Sequence, residues 1–207
     1  MSDRRHFLRF ASRYALALLG ALAFPIHAQD AQNALAGKAL LDALLRGGYV
    51  IYFRHADTDF SANDDNMTSF EDCAKQRNLT DVGRMHAREI GKAIAELKIP
   101  VGDVIASPYC RTRETARLIF GRERVSNDVR GGPAGDRARY AALEKLLAQP
   151  VSAGVNRVIV SHGNPFAAVA GTPYLREGEA AIVEPLDAKG FRVVARVTWD
   201  AWGSLAR

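Results

Sequence analysis

Two histidines and two arginines follow strand-like segments in positions where they could do chemistry together. Arg54 and His55 come directly after the apolar run of residues 49–53, and His162 follows the apolar run in VNRVIVSHG. Arg111 lies near the start of a helix-like segment that follows another such run. Guanidinium groups bind phosphoryl oxygens through charge-assisted hydrogen bonds, and an imidazole can act as the nucleophile on phosphorus. These residue types therefore predict a phosphoryl-transfer site.

The segments that carry these residues alternate between strand and helix patterns. Strands are predicted at 49–54 and in VGDVIAS, VNRVIVSHG, EAAIVEPLD and GFRVVARVTW, with a weaker segment at 125–133. Helices are predicted in NALAGKALLDALLRGG, LTDVGRMHAREIGKAIAELKI, SPYCRTRETARLIFG, DRARYAALEKLLAQ and NPFAAVAG. Thr80 is the expected N-cap of the second helix, and Ser107 and Pro108 are the expected cap and first residue of the third. This order indicates a three-layer α/β/α fold with a mostly parallel central sheet and an antiparallel edge.

The carboxyl ends of the parallel strands should bring the candidate residues together. Ligands in such sheets bind where the loops at those ends converge. We therefore expect Arg54, His55, Arg111 and His162 to surround one small volume that takes a dianionic phosphoryl group. A further histidine, His86, falls in the middle of a predicted helix, and we interpret it as a surface or boundary residue without a role.

Length and composition indicate one globular domain behind an N-terminal leader. The chain has 207 residues, of which 48% are hydrophobic and 25% charged. Its first 28 residues hold four arginines, one aspartate, an apolar stretch at 15–24 that is too short to span a membrane, and Ala28 as the expected cleavage residue. Within them, DRRHFLR resembles a twin-arginine export signal.

These features predict an export signal at 1–28 and a single domain at 29–207, in a protein that is periplasmic or secreted. No stable membrane anchor is expected after cleavage. Much of the net charge of +5 belongs to the leader, which argues against a nucleic-acid partner.

Four ordered motifs resemble those of a known family. FRHADTD resembles the Arg-His-Gly signature of the histidine phosphatase superfamily, also called phosphoglycerate mutase-like, with Ala56 in the place of glycine. RNLTDVGRMHA matches the family's Leu-Thr-x-x-Gly element, and SPYCRTRETA matches its Ser-Pro-x-x-Arg-Thr-x-x-Thr-Ala element. VIVSHGNP supplies the second histidine. The resemblance extends over about residues 47–199, and it implies the family's α/β/α fold.

The resemblance also implies a phosphomonoesterase that needs no metal or other cofactor. His55 would become a phosphohistidine, while Arg54, Arg111 and His162 bind the phosphoryl oxygens. A general acid must protonate the leaving oxygen. Glu179 in LREGEAAIVEP is our preferred acid, and Asp128 and Glu177 are the alternatives.

The segment Glu-Gly-Glu-Ala, together with the export signal, suggests a branch of this superfamily and a class of substrate. These are similar to an extracytoplasmic branch that includes lipopolysaccharide core heptose phosphatases. The expected partner is therefore a small phosphorylated substrate or a phosphorylated glycan of the envelope or periplasm. A phosphohistidine phosphatase and a non-catalytic binder of phosphorylated ligands on the same fold are the alternatives.

A long polar loop at 57–78 follows His55 and should shape substrate selection. Cys73 in this loop and Cys110 are the two cysteines of the chain, an even number for an oxidising compartment. A disulfide between them would tether the loop beside Arg111, and two unpaired thiols are the alternative. Arg77 could offer a cation to the ligand, but we interpret it as part of a surface salt bridge.

Overall fold

The computed structural model describes residues 34–133 and 135–207, and the predicted export signal lies outside them. The strands are β1 (Val50–Arg54), β2 (Val101–Ala106), β3 (Arg124–Val125), β4 (Asn156–Ser161), β5 (Ala180–Pro185) and β6 (Phe191–Val197). The helices are α1 (Gly37–Arg46), α2 (Asp81–Glu96), α3 (Cys110–Phe120), α4 (Ala141–Ala148) and α5 (Gly163–Ala170). Within the described ranges, no helix has the length and apolar character needed to cross a membrane.

One sheet contains the six strands in the order β3-β2-β4-β1-β5-β6. β1 pairs parallel with β4, and β2 pairs parallel with β3 and β4. β5 pairs antiparallel with β1 and β6. The predicted mostly parallel sheet with an antiparallel edge is therefore confirmed.

Both faces of the sheet are covered, which makes the fold three-layered. Ile51 and Phe53 of β1 pack in a core with α1, α2, α3 and the C-terminal Trp202. Val50 and Tyr52 pack on the opposite face with α4 and α5. Successive side chains of a strand point to opposite faces, so a central strand needs apolar residues at every position. This explains the uninterrupted apolar run that precedes Arg54.

The start of α3 differs from the prediction. The helix begins at Cys110 with Tyr109 as its N-cap, not at Pro108 with Ser107 as the cap. The amide of Ser107 donates to the carbonyl of Val160, so this residue continues the pairing of β2 with β4. The prediction for α2 is confirmed, because the Thr80 hydroxyl accepts a hydrogen bond from the amide of Gly83 at 3.0 Å.

Candidate active site

His55 lies at the carboxyl end of β1, with its ring held in one tautomer. The residue is 1% exposed, and its amide donates to the carbonyl of Ser161 on β4. Its Nδ1 lies 2.9 Å from the carbonyl oxygen of Ala56. A carbonyl oxygen only accepts hydrogen bonds, so Nδ1 carries the proton and Nε2 keeps its lone pair. The free Nε2 is the form of the ring that can attack phosphorus.

Ala56 replaces the family's glycine without strain. Its backbone φ is not positive, and its side chain is fully buried. Its amide donates to the Thr115 hydroxyl on α3 at 3.1 Å. A methyl group is therefore accommodated where the motif has glycine, and the turn that aims His55 stays intact.

Four residues predicted from the sequence line one cavity of about 160 Å³: Arg54, His55, Arg111 and His162. The ring centroids of the two histidines lie 5.4 Å apart. Tyr109, Asn164 and Tyr174 also line this phosphate cavity, as does Arg77. Sites for whole small molecules have volumes of about 300–1,000 Å³, so the phosphate cavity suits a phosphoryl group alone.

Both histidines are held in the neutral state. Burial and the charge of Arg111 lower the pKa of His55 well below 6.5. Burial also lowers the pKa of His162, with the charges of His55 and Arg111 acting in the same direction. Removing an imidazolium from water next to guanidinium groups disfavours the charged form. His55 therefore remains a free nucleophile at neutral pH.

Arg54 and Arg111 are each anchored to the protein by hydrogen bonds from their terminal guanidinium nitrogens. Arg54 donates to the carbonyl of Leu175 at 2.9 Å and to Oε1 of Glu177 at 3.1 Å. Arg111 donates to Oδ1 of Asp64 at 3.0 Å and is 5% exposed. The Nε atoms of both arginines are buried and have no hydrogen-bond partner among the described residues. Both side chains line the cavity, where guanidinium groups can form charge-assisted hydrogen bonds with phosphoryl oxygens.

His162 is positioned by neighbours on three elements. Its Nε2 lies 2.8 Å from the Ser107 hydroxyl, and its carbonyl accepts a hydrogen bond from the Tyr52 hydroxyl at 2.8 Å. A Cβ on Gly131 would lie 2.8 Å from the His162 ring, so only glycine allows this approach. The ring is therefore fixed at the edge of the phosphate cavity.

Arg77 is a site residue that sequence reasoning misassigned. It lines the phosphate cavity and forms no salt bridge with a carboxylate among the described residues. Its guanidinium carbon lies 4.6 Å from the centroid of the Phe60 ring. Its position two residues before the Leu-Thr-x-x-Gly element was the available signal, because that element packs against the turn after His55. A Cβ on Gly83 of the element would lie 2.2 Å from the carbonyl oxygen of Asp57.

The carboxylates predicted as general acids do not line the phosphate cavity. Asp128 is exposed in a short 3₁₀ turn. Glu179 lines a separate cavity, and its Oε2 accepts a hydrogen bond from the amide of Arg176 at 2.6 Å. Oε1 of Glu177 lies 3.8 Å from Nδ1 of His55, beside the nitrogen that does not attack. The expectation that Glu179 or Asp128 protonates the leaving oxygen is therefore not supported by their positions.

His86, predicted to be a surface or boundary residue without a role, is buried and contacts two residues outside its own helix. It is 9% exposed, and its Nδ1 lies 2.8 Å from Oδ2 of Asp57. Its ring stacks on Trp199 with 3.7 Å between the centroids and 13° between the planes. A histidine in the middle of an amphipathic helix gives no sequence signal for such partners, because both lie outside the helix.

The loop after His55 is tied to the start of α3. Cys73 and Cys110 form a disulfide, and Oε1 of Gln76 accepts a hydrogen bond from the amide of Cys110 at 2.9 Å. Asp64 of the same loop binds Arg111 and also accepts from the amide of Arg77 at 2.9 Å. The loop therefore holds the guanidinium of Arg111 and the backbone of Arg77 in place.

Metal-ligating side chains do not cluster in the described ranges, where no group of three or more His, Cys, Asp or Glu residues could hold a metal ion. The positive charge of the site comes from three guanidinium groups, those of Arg54, Arg77 and Arg111.

Comparisons with known proteins agree with the motifs. The family described as "Histidine phosphatase superfamily (branch 1)" matches residues 50–130. No curated protein sequence matches the chain significantly.

Solved structures show the same fold at low sequence identity. A mycobacterial glucosyl-3-phosphoglycerate phosphatase in complex with inorganic phosphate is 14% identical, with a TM-score of 0.56, over 74% of this chain and 99% of that one. The protein histidine phosphatase SixA in complex with tungstate is 17% identical, with a TM-score of 0.55, over 73% of this chain and 97% of that one. At these identities the likeness concerns the fold. The family match over residues 50–130 and the shared fold agree with the resemblance that the four sequence motifs show.

Proposed function

We propose that this protein is a phosphomonoesterase that works through a phosphohistidine at His55 and needs no metal. One observation carries the proposal. The free Nε2 of a neutral, buried histidine shares a phosphate-sized cavity with a second neutral histidine and three guanidiniums. This arrangement combines a nucleophile with the charges that stabilise a phosphoryl group during transfer.

The reaction proceeds in two displacements. Nε2 of His55 attacks phosphorus and the bond from phosphorus to the leaving oxygen breaks. That oxygen takes a proton from solvent water, and the alcohol leaves. Arg54, Arg111 and His162 bind the three phosphoryl oxygens as their charge shifts. The Glu177 carboxylate, 3.8 Å from Nδ1, offsets the positive charge that the ring acquires as a phosphohistidine. Water then attacks the same phosphorus, which releases phosphate and restores the neutral imidazole.

The proposed substrate is a phosphomonoester of the envelope or periplasm, such as a phosphorylated glycan. The twin-arginine-like leader supports export. The disulfide between Cys73 and Cys110 also supports an oxidising compartment, because structural disulfides persist mainly outside the cytoplasm. The lipopolysaccharide heptose phosphatase branch remains part of this proposal on the residues of the Glu-Gly-Glu-Ala segment.

A second candidate is a phosphohistidine phosphatase, and the missing carboxylate favours it. None of the residues that line the phosphate cavity is Asp or Glu. An alkoxide leaving group needs a proton donor, whereas the nitrogen of a phosphoramidate can take its proton from solvent before the bond breaks. SixA, a neighbour in fold, is described as a protein histidine phosphatase.

Turnover of p-nitrophenyl phosphate in excess EDTA tests the first proposal. We expect turnover by the wild type, none by His55→Ala, and an acid-labile phosphoryl label on the wild type after rapid quenching. Equal rates for the two proteins would refute the assignment of His55. Phosphate binding without turnover of any ester would instead indicate the non-catalytic binder.

The two enzymatic candidates differ in their dependence on the leaving group. A phosphohistidine phosphatase should hydrolyse phosphoramidate far faster than glycerol 3-phosphate. A phosphomonoesterase with an unrecognised proton donor should hydrolyse both at similar rates. The ratio of the two kcat/KM values decides between them.

A further inference from the structure

A second cavity lies beside the phosphate cavity at the same edge of the sheet. We propose that this cavity binds a neutral, hydroxylated ring, such as a sugar, that belongs to a substrate whose phosphate lies against His55. The inference rests on the proposed phosphatase function and names the substrate class. The cavity has a volume of about 400 Å³, and its lining includes Arg54, Asp57, Phe60, Arg176, Glu179 and Trp199. We call it the Trp199 cavity.

The two cavities are neighbours that share a wall residue. Arg54 lines both of them. The Phe60 ring lines the Trp199 cavity and packs under the guanidinium of Arg77, which lines the phosphate cavity. The phosphate cavity holds little more than the phosphoryl group, whereas about 400 Å³ lies within the usual range of small-molecule sites.

The charges of the Trp199 cavity favour a neutral ligand over an ionic one. Arg54 and Arg176 face the carboxylates of Asp57, Glu177 and Glu179. A second phosphate group would meet three carboxylates, and a cationic group would meet two guanidiniums. Hydroxyl groups both donate and accept hydrogen bonds, so a polyol satisfies both kinds of lining group.

Glu179 supplies an acceptor that the protein itself leaves free. The residue is 8% exposed, and its Oε2 accepts from the amide of Arg176. Its Oε1 accepts no hydrogen bond from the described residues, although the side chain lines the cavity. This oxygen is open to the cavity, so a ligand hydroxyl can donate a hydrogen bond to it.

Two aromatic rings provide apolar surface for the face of a sugar ring. Phe60 is 69% exposed and lines the cavity, so its ring is available to a ligand. Trp199 is backed on one face by His86, and His86 also binds Asp57. These contacts hold the cavity wall rigid before a ligand arrives, which lowers the entropy cost of binding. His86 is therefore a positioning residue for the Trp199 cavity.

Competing substrates of similar leaving-group chemistry test the inference. The measured quantity is the ratio of kcat/KM for trehalose 6-phosphate to that for glycerol 3-phosphate. We expect the wild type to prefer the disaccharide ester, and Phe60→Ala and Glu179→Gln each to lower the ratio, by about tenfold for Phe60→Ala. Leu45→Ala removes a side chain that is 41% exposed on α1, and it serves as the matched control with an unchanged ratio.

The outcomes separate this inference from the proposed function. Turnover of p-nitrophenyl phosphate with an unchanged ratio in both cavity variants would overturn the sugar site alone. If no ester is hydrolysed, the proposed function fails, and calorimetric titration with trehalose 6-phosphate then tests the cavity. Weaker binding by Phe60→Ala than by the wild type would still support the inference, whereas equal affinities would overturn it.

Discussion

Removal of the disulfide should destabilise the fold by an amount that its position in the chain determines. The bond joins cysteines 37 residues apart, Cys73 in the loop and Cys110 at the start of α3. In the chain-entropy model, a loop of this length lowers the entropy of the unfolded state by about 13 cal/mol/K. At room temperature this corresponds to about 4 kcal/mol of stability.

The double variant Cys73→Ser/Cys110→Ser avoids free thiols and isolates the bond. For a chain of this size each kcal/mol shifts the melting temperature by about 2–4 °C, so we expect a decrease of about 8–16 °C. Scanning calorimetry of the oxidised wild type and the variant measures it. Reductant should shift the wild type towards the variant and leave the variant unchanged.

The disulfide should also affect ligand binding, because the loop it anchors holds Arg111 through Asp64 and carries Arg77. We expect the double variant to bind inorganic phosphate more weakly than the wild type at a temperature where both are folded. The hydrogen bond that Gln76 accepts from the amide at position 110 and the one that it donates to the carbonyl of Phe70 remain in the variant and limit the loss. If the melting temperature of the variant lies within 2 °C of the wild type and its phosphate affinity is unchanged, the disulfide does not act as a tether for this loop.

Four further predictions follow from the site. Because the pKa values of His55 and His162 lie well below 6.5, kcat/KM for p-nitrophenyl phosphate should not decrease as the pH is lowered through 6.5. A pH profile that falls with an apparent pKa of about 6.5 would contradict this. Because of the same shifts, the two histidines bind protons below pH 6.5 in the unfolded chain but not in the folded one. The free energy of unfolding should therefore decrease as the pH falls below 6.5, and urea titration at several pH values measures this decrease. Arg111→Lys should lower kcat/KM by about 10²–10³, whereas Arg113→Lys on the same helix, outside the cavity, should change it little; similar losses in both would remove Arg111 from the site. Asp64→Asn should weaken phosphate binding through Arg111, with exposed Asp65→Asn as the control, and calorimetry that finds equal affinities would exclude this role.

The sequence predicted the fold class and the four central site residues for local reasons. An uninterrupted apolar run identifies a strand that is covered on both faces, as residues 50–53 are in β1. The polar residues that follow such strands must lie at the carboxyl edge of a parallel sheet, so Arg54, His55 and His162 could be placed together without coordinates. The Thr80 cap is equally local, since its partner is three residues away.

Other features depended on partners far away in the chain, which no local pattern encodes. Ser107 reads as a helix cap, but its amide is engaged by β4 and its hydroxyl by His162, so α3 starts later. His86 reads as a surface residue until Asp57 and Trp199 are seen around it.

The identity and spacing of the side chains by themselves determined which four residues gather at the phosphate cavity, because strand periodicity and strand ends are local properties. Only the tertiary structure decided which carboxylates stay out of the phosphate cavity and that Arg77 enters it. Glu177 and Glu179 are two residues apart and both line the Trp199 cavity, yet only the Glu177 carboxylate forms a salt bridge with Arg54. Such differences of a few ångströms arise from packing between distant segments, and the sequence alone does not contain those distances.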